Sequence, residues 1–271
     1  MTITIKNKEE IEGMRAAGRA ASQLLDYLTP FVKEGKTTNQ IDKLAYDFIK
    51  HDLKSTPAPL NYDPMGGNPY PKSICTSVNN MVCHGIPNDK PLRKGDIINI
   101  DVGVTTREGW IGDTSRMFVI GEASIAAKRL CAVTYDAMWH GISKIGPNVC
   151  IIEIGRAIQK FTEAQGCSVV RDYCGHGIGR NFHEEPQILH FASPEAKTIL
   201  IPGMTITVEP MINAGRKETK GLPDGWSVVT KDRSLSAQWE HTVLVTETGF
   251  EVLTLSEGYP ALPAFITSTK T

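Results

Sequence analysis

Residues 97–120 read IINIDVGVTTREGWIGDTSRMFVI, and the placement of two acids within them, Asp101 and Asp113, decides the fold. The β-type runs 97–104 and 109–120 are joined by Thr105, Thr106, Arg107 and Glu108, the pattern of an antiparallel hairpin. Asp101 lies between Ile100 and Val102, and Asp113 begins the returning arm with Thr114 and Ser115. Strands disfavour acids, and a buried carboxylate without a partner is costly, so one acid on each arm of an apolar hairpin demands an explanation.

The same signature returns later in the chain. Glu209 lies in the β-type run 204–212, between Val208 and Pro210, and Glu240 lies in the run 239–246, between Trp239 and His241. If the two regions pack about a pseudo-twofold, all four acids converge on a shared sheet. Four close carboxylates cannot all be ionised near neutral pH unless a strong positive charge sits among them, and a divalent cation supplies one. Exposure on a solvated sheet face explains any one of these acids alone better than it explains two matched pairs.

Around these runs the element order repeats. Residues 8–30 form an amphipathic pattern with Ile11, Met14, Leu24, Leu25 and Leu28 on one face. Thr37 and Gln40 make a capping box for a second helix, whose Ile41, Leu44, Ala45, Phe48 and Ile49 share a stripe. Residues 55–71 hold five prolines and the pair Gly66-Gly67, an irregular loop long enough to serve binding, and a β-type run follows at 74–78. In the second half, helical patterns at 124–145 and 151–165, broken by Gly146-Pro147, precede β-type runs at 168–171, 204–212, 226–230 and 239–246. Helices then sheet, twice over, predicts an α+β fold in one catalytic domain spanning 1–271, with halves of about 1–120 and 121–255. This rests on element order, because the identity between the halves is too weak to establish a duplication.

The segment CGHGIGRNFHEEP, residues 174–186, is the most distinctive in the chain. Glycines flanking His176 allow close backbone approach, so its imidazole can reach a site, and His183 follows in the same segment. His84, within VCHGIP, repeats the His-Gly context just after a β-run, whereas His51, His140, His190 and His241 lack it and are read as structural. A donor set rich in oxygen with one imidazole suits Mn²⁺, Fe²⁺, Co²⁺ or Zn²⁺ without choosing among them. Bridging carboxylates can hold two such ions about 3.5 Å apart for amide hydrolysis.

Composition narrows the field. With 271 residues, 41% of them hydrophobic, the chain can bury a substantial core. A net charge of −1 and a pI near 6.7 give no general electrostatic pull toward nucleic acid or an anionic membrane surface. The amino terminus lacks a signal-peptide pattern, and no stretch approaches the roughly 20 apolar residues of a spanning helix. The six cysteines, Cys75, Cys83, Cys131, Cys150, Cys167 and Cys174, form no C-x-x-C pair, which argues against a zinc ribbon or a dithiol redox centre, and the cytoplasm, with reduced thiols, is the simplest location. His183-Glu184-Glu185-Pro186 lacks the second histidine of a zincin, and Cys83 beside His84 is rejected as a nucleophile pair because adjacent strand residues face opposite ways.

Six segments in order, YPKSICTSVNNMVCHGIP (70–87), INIDVGV (98–104), GDTSRMF (112–118), DYCGHGIGRNFHEEP (172–186), MTITVEPMI (204–212) and KDRSLSAQWEHTVLVT (231–246), resemble the type I methionine aminopeptidase family in its short bacterial form. The resemblance runs to about Leu255. It implies a pita-bread fold, two pseudo-symmetric halves with a central, mostly antiparallel sheet covered by helices. It implies Asp101, Asp113, His176, Glu209 and Glu240 as ligands of two divalent ions, with Asp113 and Glu240 bridging. Glu209 would also take a proton from the attacking water, His183 would hydrogen-bond the scissile carbonyl, and His84 would contact the nitrogen side of the bond. The methionine pocket would be walled by Tyr70, Cys75, Phe182 and Trp226; Tyr62 is a weaker candidate, because residues 63–69 are longer here than the family's usual form.

The implied substrates are nascent chains and peptides with an N-terminal methionine and a small second residue. The family also implies a Na⁺ or K⁺ side site on backbone carbonyls near Asn79, Met81 and Ser236. Arg216, Lys217, Lys220 and Lys231 form a local basic cluster, read either as a solvated loop or as a ribosome-docking patch. A monomer is expected, with no membrane association and no specific nucleic-acid binding. The rival readings are a proline-specific aminopeptidase or dipeptidase of the same fold, and a non-catalytic binding protein built on it.

Overall fold

The computed structural model of the chain describes residues 3–256, 261–263 and 266. Helix α1 (Lys8–Leu28) starts on Asn7, whose side chain accepts from the Glu9 and Glu10 N–H groups while Glu10 reaches back to the Asn7 N–H. Its buried residues Met14, Ala17, Ala21, Leu24, Leu25 and Leu28 recur every three or four positions. The helix stops short of the expected residue 30, passing into a 3₁₀ turn at Thr29–Phe31 that contains Pro30. Helix α2 (Thr38–His51) begins with the expected Thr37–Gln40 capping box and buries Ile41, Ala45 and Ile49.

Four short or medium strands, β1 (Thr56–Pro57), β2 (Cys75–Val78), β4 (Ile97–Thr105) and β5 (Ile111–Val119), make the first sheet; β3 (Met81–Cys83) leaves it. The expected hairpin forms between β4 and β5, in a register that sets Asp101 opposite Ser115 and Asp113 opposite Gly103. On the other side of β4, β2 places Cys75 opposite Asp101, and β1 pairs with its far end. Ile98, Ile100, Val102 and Val104 face α1 and α2 in one apolar cluster with Leu24, Leu28, Ile41 and Ile49. Helix α1 crosses β5 so closely that a Cβ on Gly112 would come 2.2 Å from the Ala17 carbonyl oxygen, which admits only glycine there.

The second half begins with α3 (Ile125–Ile142) and α4 (Ile152–Ala164), each a little shorter than its sequence pattern. Its strands are β6 (Ser168–Val169), β7 (Gly175–Gly177), β8 (Glu184–Ile188), β9 (Thr205–Val208), β10 (Met211–Asn213), β11 (Thr219–Gly221), β12 (Val228–Thr230), β13 (Ser236–Gln238), β14 (His241–Val245) and β15 (Phe250–Val252). They form a five-stranded sheet β15-β14-β9-β7-β8 and two smaller ones, β13-β10-β6 and β11-β12-β3, antiparallel throughout. Met138, Trp139, Ile154 and Ile158 from the helices pack over Ile206, Val208, Ile212 and Val243.

One of the expected runs is not continuous. Pro210 has no N–H to donate, so 204–212 divides at Glu209-Pro210 and its halves, β9 and β10, enter different sheets. The run expected at 239–246 forms β14 from His241, and an unexpected strand, β13, precedes it across a second break at Trp239-Glu240. Glu209 and Glu240 therefore sit where the chain steps from one sheet to the next, rather than inside strands. No helix among the described residues is long and apolar enough to cross a membrane.

Candidate metal centre

Those two breaks lie side by side, because β9 and β14 pair with His241 opposite Val208. The β4–β5 hairpin meets them directly: Ser115 and Glu240 bridge through their backbones. Two threonines stitch the join. Thr114 Oγ1 donates to the Glu240 carbonyl at 2.7 Å, and Thr242 Oγ1 donates to the Asp113 carbonyl at 2.7 Å while accepting from the Asp113 N–H. The acids of the two regions are brought together by this seam.

Carboxylate oxygens of Asp101, Asp113 and Glu240 all lie within 4.8 Å of one another. On the other side of Asp113, His176 Nε2 stands 3.7 Å from Asp113 Oδ2 and 3.6 Å from Glu209 Oε1. The five residues thus make two overlapping groups that share Asp113. Atoms that each lie roughly 2.1 Å from one cation end up about 3–4 Å apart, and the two His176 gaps match that spacing while being too long for hydrogen bonds. His176 Nδ1 is 2.9 Å from the Gly177 carbonyl, which can only accept, so the proton sits on Nδ1 and the Nε2 lone pair faces the acids.

Without a cation this cluster is a poor arrangement. Burial pushes all four carboxyls up, Asp101 to about 7 and Glu209 to about 8, with Asp113 and Glu240 well above the usual range; neighbouring acids add to the rise in the last three. Asp113 Oδ1 and Glu240 Oε1 are buried without a hydrogen-bond partner among the described residues. Acceptor oxygens left bare in this way, beside an imidazole held in its ligating tautomer, fit a divalent metal centre.

Several supporting groups escaped the sequence reading. Thr207 Oγ1 donates to Glu209 Oε1 at 2.8 Å and accepts from the His176 N–H, tying two members of the site to one hydroxyl. Gln238 Nε2 lies 3.3 Å from Glu209 Oε2, and Asn99 anchors Gln238 through its carbonyl. His190, read as structural, is fully buried and its Nε2 accepts from the Glu209 N–H at 3.1 Å. His241 is structural: its Nδ1 meets Thr254 Oγ1 at 2.9 Å and its ring packs on Trp139.

Outside the acids stand two groups of rings. His176, Phe182, His183 and Tyr62 are in mutual contact, with His183 4.2 Å from His176 between centroids. Tyr70, Trp226 and His84 form the other group, Tyr70 edge-on to Trp226 at 5.2 Å, with Cys75 beside Asp101 in the sheet register. Tyr62 proves closer to the site than the sequence reading allowed, its hydroxyl 2.6 Å from His183 Nδ1. The extra residues loop out as an excursion closed by bonds from Asn61 N–H to the Tyr70 carbonyl and from Tyr70 N–H to the Tyr62 carbonyl, so they do not shift its register.

His84 has φ of 54°, which breaks the strand alternation, so Cys83 and His84 do not face opposite ways as expected: His84 Nδ1 comes within 3.8 Å of Cys83 Sγ. Burial pushes that thiol well above its usual pKa and lowers His84 to about 4, so the pair stays neutral and the nucleophile reading fails on electrostatics instead. Asn79 and Ser236 are neighbours, with the Ser236 N–H donating to the Asn79 carbonyl at 2.9 Å. Lys217 and Lys231 line a surface cleft that also holds Arg171, Asp172 and Glu218, so the basic cluster is interleaved with acids.

The turn that carries His183 is pinned from the far end of the chain. Lys6 Nζ meets Glu184 Oε2 at 2.9 Å with the two side chains 1% and 7% exposed, and Glu184 Oε1 accepts from the Asn181 N–H. Burial raises the Glu184 carboxyl, but the bond and charge of Lys6, together with hydrogen bonds from the Asn181 N–H and the Thr4 side chain, outweigh it and hold the group below its ordinary value. Lys6→Met removes one partner and leaves the other buried, so it should cost roughly 3 kcal/mol or more in urea unfolding. A loss under about 1 kcal/mol would show that the pair is not what fixes this turn.

The family model described as metallopeptidase family M24 matches residues 12–247. Over 267 residues, 98% of each chain, the sequence is 51% identical to the methionine aminopeptidase of Escherichia coli strain K12. The crystal structure of methionine aminopeptidase from Rickettsia prowazekii superimposes with a TM-score of 0.89 at 52% identity, covering 94% of this chain and all of that one. That of methionine aminopeptidase from Thermotoga maritima gives 0.89 at 37% identity with the same coverage of 94% and 100%.

Proposed function

The chain belongs to metallopeptidase family M24, and from that premise we propose that it hydrolyses the peptide bond after the initiator methionine of nascent proteins, in the cytoplasm, preferring a small second residue. It is a metal-dependent aminopeptidase with the pita-bread α+β fold. The observation that carries the reading is the pair of overlapping donor groups that share Asp113.

In this reading Asp101, Asp113, His176, Glu209 and Glu240 would hold two divalent ions, with Mn²⁺, Fe²⁺, Co²⁺ and Zn²⁺ all suited to the donors. When bound, the ions supply Lewis acidity and make water a nucleophile near neutral pH. Glu209, its carboxylate held by Thr207 and Gln238, accepts the proton of the attacking water. His183 donates to the scissile carbonyl oxygen, and His84 faces the nitrogen side of the bond. Tyr70, Cys75, Phe182 and Trp226 provide an apolar wall for a thioether, which offers only dispersion and weak sulfur contacts. A monovalent cation beside Asn79 and Ser236, and a ribosome contact through Arg216, Lys217, Lys220 and Lys231, belong to the same reading.

Metal-dependent cleavage of a Met-Ala-Ser peptide tests it. Release of free methionine with at least one of the four ions is expected; cleavage confined to bonds before proline would favour the proline-specific rival, and no turnover with any ion would favour a binding protein. His183→Ala should depress kcat far more than it weakens metal binding measured by calorimetry. Equal loss of metal would make His183 a ligand instead.

A further inference from the structure

We propose that Tyr62 is a positioning residue that fixes the tautomer of His183, so that the imidazole presents Nε2–H, the hydrogen-bond donor, to the substrate. A neutral imidazole carries one proton, and the nitrogen that holds it is set by what the other nitrogen meets. Tyr62 Oη lies 2.6 Å from His183 Nδ1, and neither atom has another hydrogen-bond partner among the described residues. Burial raises the Tyr62 pKa, so the phenol keeps its hydrogen and donates it to Nδ1. The reverse arrangement, Nδ1–H to the phenol oxygen, leaves the phenol hydrogen without a protein acceptor and turns Nε2 into an acceptor. An acceptor there would oppose the carbonyl oxygen it is meant to bind.

The surroundings hold this pair in place from both sides. The Tyr62 ring rests edge-on against Phe182 with centroids 5.3 Å apart, and the backbone of Tyr62 is paired to that of Tyr70. At the far end of the excursion, the Asn68 carbonyl accepts from Trp226 Nε1 at 3.0 Å and Asn68 Nδ2 donates to the Asp224 carbonyl, so the loop is tethered across the ring groups. On the other side, the Lys6–Glu184 pair fixes the residue that follows His183.

The inference rests on His183 as the donor to the scissile carbonyl, and the test separates the two. Nitrogen NMR of ¹⁵N-imidazole-labelled, zinc-loaded protein, with His183→Gln to assign the signals, reads the tautomer without substrate. In the wild type, Nδ1 of His183 should be unprotonated and Nε2 protonated; in Tyr62→Phe, which keeps the ring packing, the Nδ1 signal should move. The same variant should lose roughly tenfold in kcat with KM within about twofold, the size of one neutral hydrogen bond felt in the transition state. A protonated Nδ1 in the wild type overturns the proposal, as does a Tyr62→Phe protein whose Nδ1 signal is unmoved, whatever its kcat. If the wild type released no methionine, the parent reading would fail while the nitrogen signals still decided the tautomer.

Discussion

Glu209→Gln will fold as the wild type does and lose at least about 10²-fold in turnover of a Met-Ala-Ser peptide, the low end of what a positioned general base contributes. Folding should survive because the site already offers partners for an amide. Thr207 Oγ1 can accept as readily as it donates, and Gln238 can meet the remaining oxygen. The shape is kept, and so is the bond from the Glu209 N–H to His190. Two things are lost together: the carboxylate proposed to receive the proton, and one negative charge beside His176. A thermal melt within a few degrees of wild type, with kcat collapsed, is the expected pair of results. A variant that kept the wild-type rate would remove Glu209 from the proton transfer.

The second large effect is on stability as a function of pH, and its sign separates metal-free from metal-loaded protein. A carboxyl whose pKa is raised by folding keeps its proton longer in the native state, so stability falls as pH rises from the unfolded pKa through the folded one. For Asp101 and Glu209 that window runs from the ordinary range near 4 up to about 7 and about 8. Histidines act the other way. His84 and His176 are lowered to about 4 by burial, and this contributes stability gained as pH climbs toward 6.5. The two effects oppose each other below about pH 6.5, the ordinary histidine pKa, and only the carboxyls still titrate above it. Protein stripped with EDTA should therefore lose stability between pH 6.5 and 8, by about 1.4 kcal/mol per pH unit for each proton involved. Cations neutralise the cluster and bind its ionised form, so the loaded protein should not show the decline, and the gap between the two should widen with pH. Parallel melting curves across that range would mean the acids do not form one electrostatic unit.

How far the sequence went depends on the range of each signal. The acids stood out because a strand tolerates them badly, and that conflict is visible within four residues of Asp101 or Glu209. The capping box of α2 and the β4–β5 hairpin were equally local. Pro210 carried a warning that was missed: a residue without an N–H cannot continue a ladder, so the run had to break beside Glu209. Other features had no local trace. Lys6 and Glu184 are 178 positions apart, and His190 acts on a backbone N–H of the kind every residue but proline possesses. The Cys83–His84 approach follows from a single positive φ at His84, a conformation uncommon outside glycine and without a local signal here. The added length after Tyr62 makes it a weaker candidate by sequence, although an excursion closed at its base leaves the flanking residues in register.

The most direct test is anomalous diffraction from crystals of the chain grown with Mn²⁺. Two peaks about 3.5–4 Å apart are expected, one among Asp101, Asp113 and Glu240, the other among Asp113, His176, Glu209 and Glu240. Peaks elsewhere, or none at saturating Mn²⁺, would contradict a shared two-cation centre.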